Sequence, residues 1–221
     1  RGGGARDALF GLDDNDRLYG EDGIDYMVAG NGNDVLDGGN DADEMYGEAG
    51  NDTLLGGDDF STDILVGGAG NDRIDGGPAW DLMYGGPGDD TFVVSQQVDW
   101  VFEQPGEGHD VVIAASPNGY YLYANIEDLI LDGTTPFGVG NALDNTLLGN
   151  AAANWLLGGA GADTLDGGAG DDVLFGQAGA DLFIIGAGAQ TDIIGDFTRG
   201  SDVILLQGQA EVPDFTPLVA H

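Results

Sequence analysis

The chain has no cysteine, so no disulfide holds it together. Outside the cell a bound metal is the alternative staple. Positive charge is nearly absent: Lys and Arg total 5 against 40 Asp and Glu, a formal net charge of −35 over 221 residues. Such a chain repels itself and resists collapse without counter-charge. Nucleic acid is excluded as a partner, and so is an anionic membrane surface unless cations bridge it. No apolar run is long enough to cross a bilayer. Histidine occurs only at His109 and His221. His109 stands beside Asp110 in a turn, with no serine or cysteine placed as an obvious partner, and reads as a solvated loop residue. Carboxylates are so abundant that no pair of them stands out as an acid–base couple. No enzyme is expected within this segment. No signal peptide opens the chain, and Arg1 falls inside a repeat, so the natural N-terminus is expected upstream.

Glycine, by contrast, is plentiful, at 42 residues. A flexible linker would not carry apolar residues in fixed phase, and this chain does. Gly67-Gly-Ala-Gly-Asn-Asp-Arg-Ile-Asp75 is one copy of a nine-residue unit, Gly-Gly-x-Gly-x-Asp-x-U-x, with U a large apolar residue. The first six residues form a turn whose glycines adopt angles that a Cβ would forbid. The last three form a minimal strand with U facing inward. Aspartates recur in register at Asp7, Asp16, Asp25, Asp34, Asp43, Asp52, Asp63, Asp72, Asp81 and Asp90, every step being nine residues except the eleven from Asp52 to Asp63. Two residues after each stands an apolar residue, from Leu9 to Phe92. A second block repeats the register at Asn145, Asn154, Asp163, Asp172 and Asp181. Turns that bare carbonyl oxygens and end in a carboxylate offer the oxygen-only ligand set that a hard cation such as Ca2+ needs. Magnesium, with its tight octahedron, suits it poorly.

These units resemble the RTX calcium-binding repeats, a known parallel β-helix repeat. The clearest copies are Gly67–Asp75, Gly158–Asp166 and Gly167–Phe175. The resemblance implies an all-β fold: a right-handed parallel β-roll, or solenoid, in two repeat arrays joined by a calcium-free β segment, with a C-terminal cap. Two units make one coil, and each ion sits between turns two units apart. The earlier turn supplies the carbonyls of its second and fourth positions and its aspartate. The later turn supplies the carbonyls of its first and third positions and its aspartate. On that pattern Gly30, Gly32 and Asp34 meet Gly47, Ala49 and Asp52. Gly68, Gly70 and Asp72 meet Gly85, Pro87 and Asp90. Gly159, Gly161 and Asp163 meet Gly176, Ala178 and Asp181. Asn145 and Asn154 bring an amide oxygen without charge, so their sites are expected to be the weakest or vacant, with Asp163 and Asp181 filled. The resemblance also implies export by the type I secretion machinery, with a signal at the far C-terminus, near Gln207–His221.

Four regions follow: the first array (1–93), an intervening non-repeat β segment (94–137), the second array (138–184), and a cap with the start of a possible secretion region (185–221). In the first array Ala5, Asp14, Asp41 and Ala79 replace the fourth-position glycine, so either strained turns or imperfect sites are expected there. In the intervening segment Val98–Phe102, Asp110–Ala114, Tyr120–Tyr123 and Asp128–Leu131 read as strands. Its Trp100, Tyr120, Tyr121 and Tyr123 read either as a carbohydrate-stacking strip or as packing. Ile193, Ile194, Phe197, Val203, Ile204 and Leu205 read as the apolar face of the cap.

Alternate units place their outward residues on opposite sheets. The odd units expose an apolar set, Phe10, Tyr26, Val28, Tyr46, Ile64, Val66, Leu82 and Tyr84, with Glu44 the one charge. This face is expected to meet a protein partner, a second copy or a missing N-terminal domain. The protein is thus read as a secreted or cell-surface module that folds on extracellular calcium and serves structural or assembly roles. The alternative is the C-terminal calcium-binding and secretion module of a larger secreted protease, lipase or polysaccharide-modifying enzyme. A carbohydrate- or ice-binding adhesin is a third reading, but the third turn positions carry no Thr or Asn ladder.

Overall fold

A computed structural model describes residues 1–95, 99–186 and 191–207. Val98 and the region 208–221, with the expected secretion signal, lie outside the described residues. Within them the protein is a stack of parallel strands without a helix. Strands alternate between two faces. Every second strand, from Gly3–Gly4 to Val203–Leu206, joins one continuous 12-stranded sheet. The remaining strands form a 6-stranded sheet, ending at Trp100–Phe102, and a 5-stranded sheet that begins at Tyr120–Tyr121.

The nine-residue period dictates this arrangement. Two units close one coil, so each strand pairs with the strand 18 residues on: Leu18 faces Leu36 and Met27 faces Met45. The insertion before Asp63 stretches the two pairings that span it to 20 residues without moving any strand to the other sheet, as Met45↔Leu65 and Leu54↔Ile74 show. It is absorbed in the turn, where Phe60 protrudes into solvent.

Because Cβ directions alternate along a strand, U points inward in every unit. Met27, Leu36, Met45, Leu54, Leu65, Ile74, Met83, Phe92, Leu147, Leu156, Leu165, Leu174 and Phe183 are fully buried. They form one narrow column between the sheets, too thin to stabilise so many glycine-rich turns by apolar burial alone.

The intervening segment follows the same path. Its strands Val111–Ala114 and Asp128–Leu131 continue the 12-stranded sheet, and Phe137–Val139, unexpected from sequence, joins the 5-stranded one. The two arrays therefore share one sheet without a break, while the opposite face is interrupted between Phe102 and Tyr120. The four aromatic residues do not make a single strip. Tyr120 is fully buried, its ring edge-on to Tyr123, and the exposed Trp100 and Tyr121 belong to different sheets. The C-terminal apolar residues add Ile193–Ile194 and Val203–Leu206 to the two faces as ordinary further strands.

Backbone strain falls only partly where expected. Asp14 and Asp41 adopt positive φ (76° and 73°), whereas Ala5 and Ala79 do not. Leu12, Glu21, Glu48 and Gln177 also carry positive φ. They occupy the second turn position, where Gly30 and Gly68 sit at φ 111° and 113°, and the sequence reading had not singled them out.

The odd face is as laid out from parity. Its rings climb the sheet in contact: Phe10–Tyr26 at 6.2 Å, Tyr26–Tyr46 at 5.7 Å and, higher up, Tyr84–Phe102 at 4.7 Å and stacked.

Candidate metal centres

Each turn ends in an aspartate whose two carboxylate oxygens have different roles. One oxygen looks back down the stack. The backbone N–H of Asp34 donates to Asp52 Oδ1 at 2.8 Å, that of Asp52 to Asp72 Oδ1 at 2.8 Å, and that of Asp72 to Asp90 Oδ1 at 2.7 Å. On the opposite edge Asp25, Asp43, Asp63 and Asp81 are linked in the same way. In the second block the Asp163 N–H donates to Asp181 Oδ1 at 3.0 Å.

The other oxygen looks forward and is orphaned. Oδ2 of Asp16, Asp25, Asp34, Asp43, Asp52, Asp72, Asp81, Asp90, Asp163 and Asp172 is buried and accepts no hydrogen bond among the described residues. Buried polar atoms are almost always partnered, so a repeated orphan at one place in the repeat points to a ligand. The geometry around it agrees. A Cβ built on Gly11 would lie 2.5 Å from Ala29 O, one coil on, and 2.6 Å from Asp16 Oδ2. At Gly158 the next-coil oxygen is Gly176 O, at 2.8 Å. Aspartate Oδ2 and the first-position carbonyl of the following turn thus converge beside a glycine that leaves room for them. The third-position carbonyls expected as later-turn ligands carry backbone hydrogen bonds between coils. Ala49 O and Pro87 O accept from the N–H groups of Gly32 and Gly70, at 2.9 and 2.8 Å.

Burial of these carboxylates disfavours their charge. Asp43, Asp72, Asp81 and Asp90 are pushed up to about 7, chiefly by desolvation, with the neighbouring aspartates adding to it and the backbone hydrogen bond opposing. Asp52, Asp63 and Asp163 rise to about 6 for the same leading reason. Stacked, buried, unpaired carboxylates require a cation or a proton. The donor set is all oxygen and fits Ca2+. Bound there, the ion would neutralise two aspartates and clamp two coils.

Asn145 and Asn154 behave differently. Asn145 Nδ2 donates back to Ile126 O and Glu127 O at 3.0 and 2.9 Å, and Asn154 Nδ2 to Thr135 O at 2.9 Å. Two further amides, Asn141 and Asn150, donate to Tyr123 O and Ile126 O and to Thr135 O. The junction below the second array is closed by neutral N–H donors. The Oδ1 atoms of Asn145 and Asn154 still face forward, each 2.6 Å from a Cβ built on the first glycine of its turn.

Sequence reasoning missed the positions that hold the aspartate role outside the recognisable repeats. Asp110 accepts from the Asp90 N–H, Glu127 from Asp110, Asp192 from Asp172 and Asp202 from Asp181. A signal was there: each is followed two residues later by an apolar residue (Val112, Leu129, Ile194, Ile204). The acid-x-U triplet keeps its phase after the glycines that advertise it are gone. His109 pairs through Nε2 with Asp128 at 3.0 Å, in an exposed position.

The family model described as the RTX calcium-binding nonapeptide repeat matches residues 1–36, 19–54, 28–62, 59–92, 139–174, 148–183 and 157–191, overlapping copies that span more than half of the chain. No curated protein matches the chain.

Proposed function

Because the chain belongs to the RTX calcium-binding nonapeptide repeat family, we propose that it is a secreted module which folds on meeting extracellular calcium and then serves as a rigid structural or assembly element. The observation that carries this reading is the row of buried, orphaned Asp Oδ2 atoms along both edges of the stack. With a net charge of −35 and a core one residue wide, the fold lacks the means to hold itself together until cations fill those rows. A chain that stays open in a calcium-poor cytosol suits export by the type I secretion machinery, and millimolar calcium outside would then close it.

No catalytic role is assigned to this segment. The exposed His109–Asp128 pair has no nucleophile in hydrogen-bond contact among the described residues. The second reading, a calcium-binding module attached to a secreted enzyme, draws on the odd face, where Phe10, Tyr26 and Tyr46 form a ring ladder on an otherwise acidic protein. Such a patch suits contact with another domain or a second copy.

Circular dichroism of the isolated chain in chelator and in millimolar calcium tests the main reading. A largely disordered spectrum that turns β-rich with calcium is expected. A β-rich spectrum indifferent to chelator would refute it.

A further inference from the structure

At the top of the first array one turn departs from the pattern. Phe102 pairs with Tyr84, so Glu103 stands one coil beyond Gly85, where a repeat would have glycine. At Gly11 and Gly158 the space beside the glycine is shared by the aspartate Oδ2 of the same turn and a carbonyl of the next coil. At Gly85 it is shared by Asp90 Oδ2 and Glu103 Oε1. A side-chain carboxylate has replaced a backbone carbonyl. The Glu103 carbonyl itself accepts from Asn125 Nδ2 at 2.8 Å.

Asp110 completes the group. Its Oδ1 accepts the Asp90 N–H at 2.8 Å, and one carboxylate oxygen from each of Asp90, Glu103 and Asp110 lies within 4.8 Å of the others. The three residues are 1%, 6% and 1% exposed. Asp90 Oδ2 and Glu103 Oε2 are buried and accept no hydrogen bond among the described residues. Glu103 Oε1 accepts the Gly86 N–H at a long 3.3 Å, and the Gly85 N–H also lowers the cost of its charge. No arginine or lysine is ion-paired with any of the three among the described residues. Three buried carboxylates packed together without a counter-charge are strongly unfavourable. A single divalent hard cation would take both orphaned oxygens as ligands and offset two of the three negative charges.

We propose that Asp90, Glu103 and Asp110 form a further calcium-type site that fastens the last coil of the first array to the intervening segment. The proposal rests on the reading of the repeats as calcium sites and extends it to a segment the sequence reads as calcium-free. The site differs from its neighbours in kind. It offers three carboxylates where a repeat pair offers two, and affinity for calcium rises with ligand charge. It is therefore among the first sites to fill, and it carries calcium-driven order past Phe92, where the nonapeptide pattern ends.

The test uses the full chain and the E103Q variant, which keeps the shape and removes the charge. Bound calcium is counted by native mass spectrometry and by equilibrium dialysis across a calcium titration. E103Q is expected to bind one ion fewer, with the loss at the high-affinity end of the isotherm. A crystal of the unmodified chain grown with calcium supplies a measure independent of the variant's folding: an anomalous peak is expected between Asp90, Glu103 and Asp110. Unchanged stoichiometry and affinity in E103Q, or ions in the repeat turns with none at Glu103, would overturn this site and leave the array reading intact. A chain that binds no calcium at any position would overturn both.

Discussion

Replacing Gly50 with alanine tests whether the spacing between coils depends on the fourth-position glycine. Gly50 sits at φ 132°, a region that side chains rarely enter. A Cβ there would lie 2.5 Å from the carbonyl carbon of Gly32 and closer still to its oxygen. Ordinary carbon contacts are about 3.5–4.0 Å, so the coils must part locally or the turn must change conformation. Holding the strained backbone costs about 1–3 kcal/mol, and overpacking adds about 1–3 kcal/mol. The expected loss is about 2–6 kcal/mol, a large share of the stability of an ordinary domain. The Gly32 carbonyl is also an expected ligand between Asp34 and Asp52, so the variant should need more calcium to fold. Gly4 supplies the control: a Cβ there meets nothing within 4 Å and its φ is ordinary, so G4A should stay within about 0.5 kcal/mol of the parent. Urea unfolding at saturating calcium reads both variants, and calcium titration followed by circular dichroism reads the shift in midpoint. Equal midpoints for G50A and G4A would refute the argument.

Acid should substitute for calcium. The carboxyls of Asp43, Asp72, Asp81 and Asp90 stand at about 7 in the fold against an ordinary 3.8. Their contribution to the calcium-free fold is thus fully present below about 3.8 and lost as pH rises through about 7. In chelator, β structure should grow as pH falls from 8 towards 4, while the calcium needed for half-saturation rises over the same range. A chelated chain as disordered at pH 4 as at pH 8 would contradict this. N145D should remove the two N–H donors to Ile126 O and Glu127 O, at a cost of roughly 2–4 kcal/mol, while its added charge tightens calcium on the forward side towards Asp163. An unchanged melting temperature would rule this out. Lysine at Tyr46 and Val66, on the apolar odd face, should weaken assembly and leave calcium-induced folding intact, as sedimentation and circular dichroism would report. Unchanged sedimentation of an assembling wild type would remove that face as the interface.

Much of the fold was legible in the primary structure because a solenoid is close to one-dimensional. The aspartate and U positions, nine residues apart, set the coil length, the inward column from Met27 to Phe183 and the division of outward residues between two faces. What the repeat pattern concealed lay where glycine, its visible marker, disappears. Asp110, Glu127, Asp192 and Asp202 hold the aspartate's place without the turn residues that announce it. The amide closure by Asn141, Asn145, Asn150 and Asn154 was hidden for another reason. Whether an asparagine offers oxygen or N–H to a neighbour depends on what lies one coil below, and here that is a set of bare carbonyls.

The sequence by itself determined which residues face in, which aspartates line up and that the ligands are oxygen, since these follow from a period repeated along the chain. Only the tertiary structure decided that the 12-stranded sheet runs unbroken through the non-repeat segment, that most of the repeat carboxylates keep one oxygen bonded and one orphaned, and that Glu103 enters the row beside Asp90. Those depend on contacts between coils 17 to 20 residues apart, where steps of unequal length change which side chains meet.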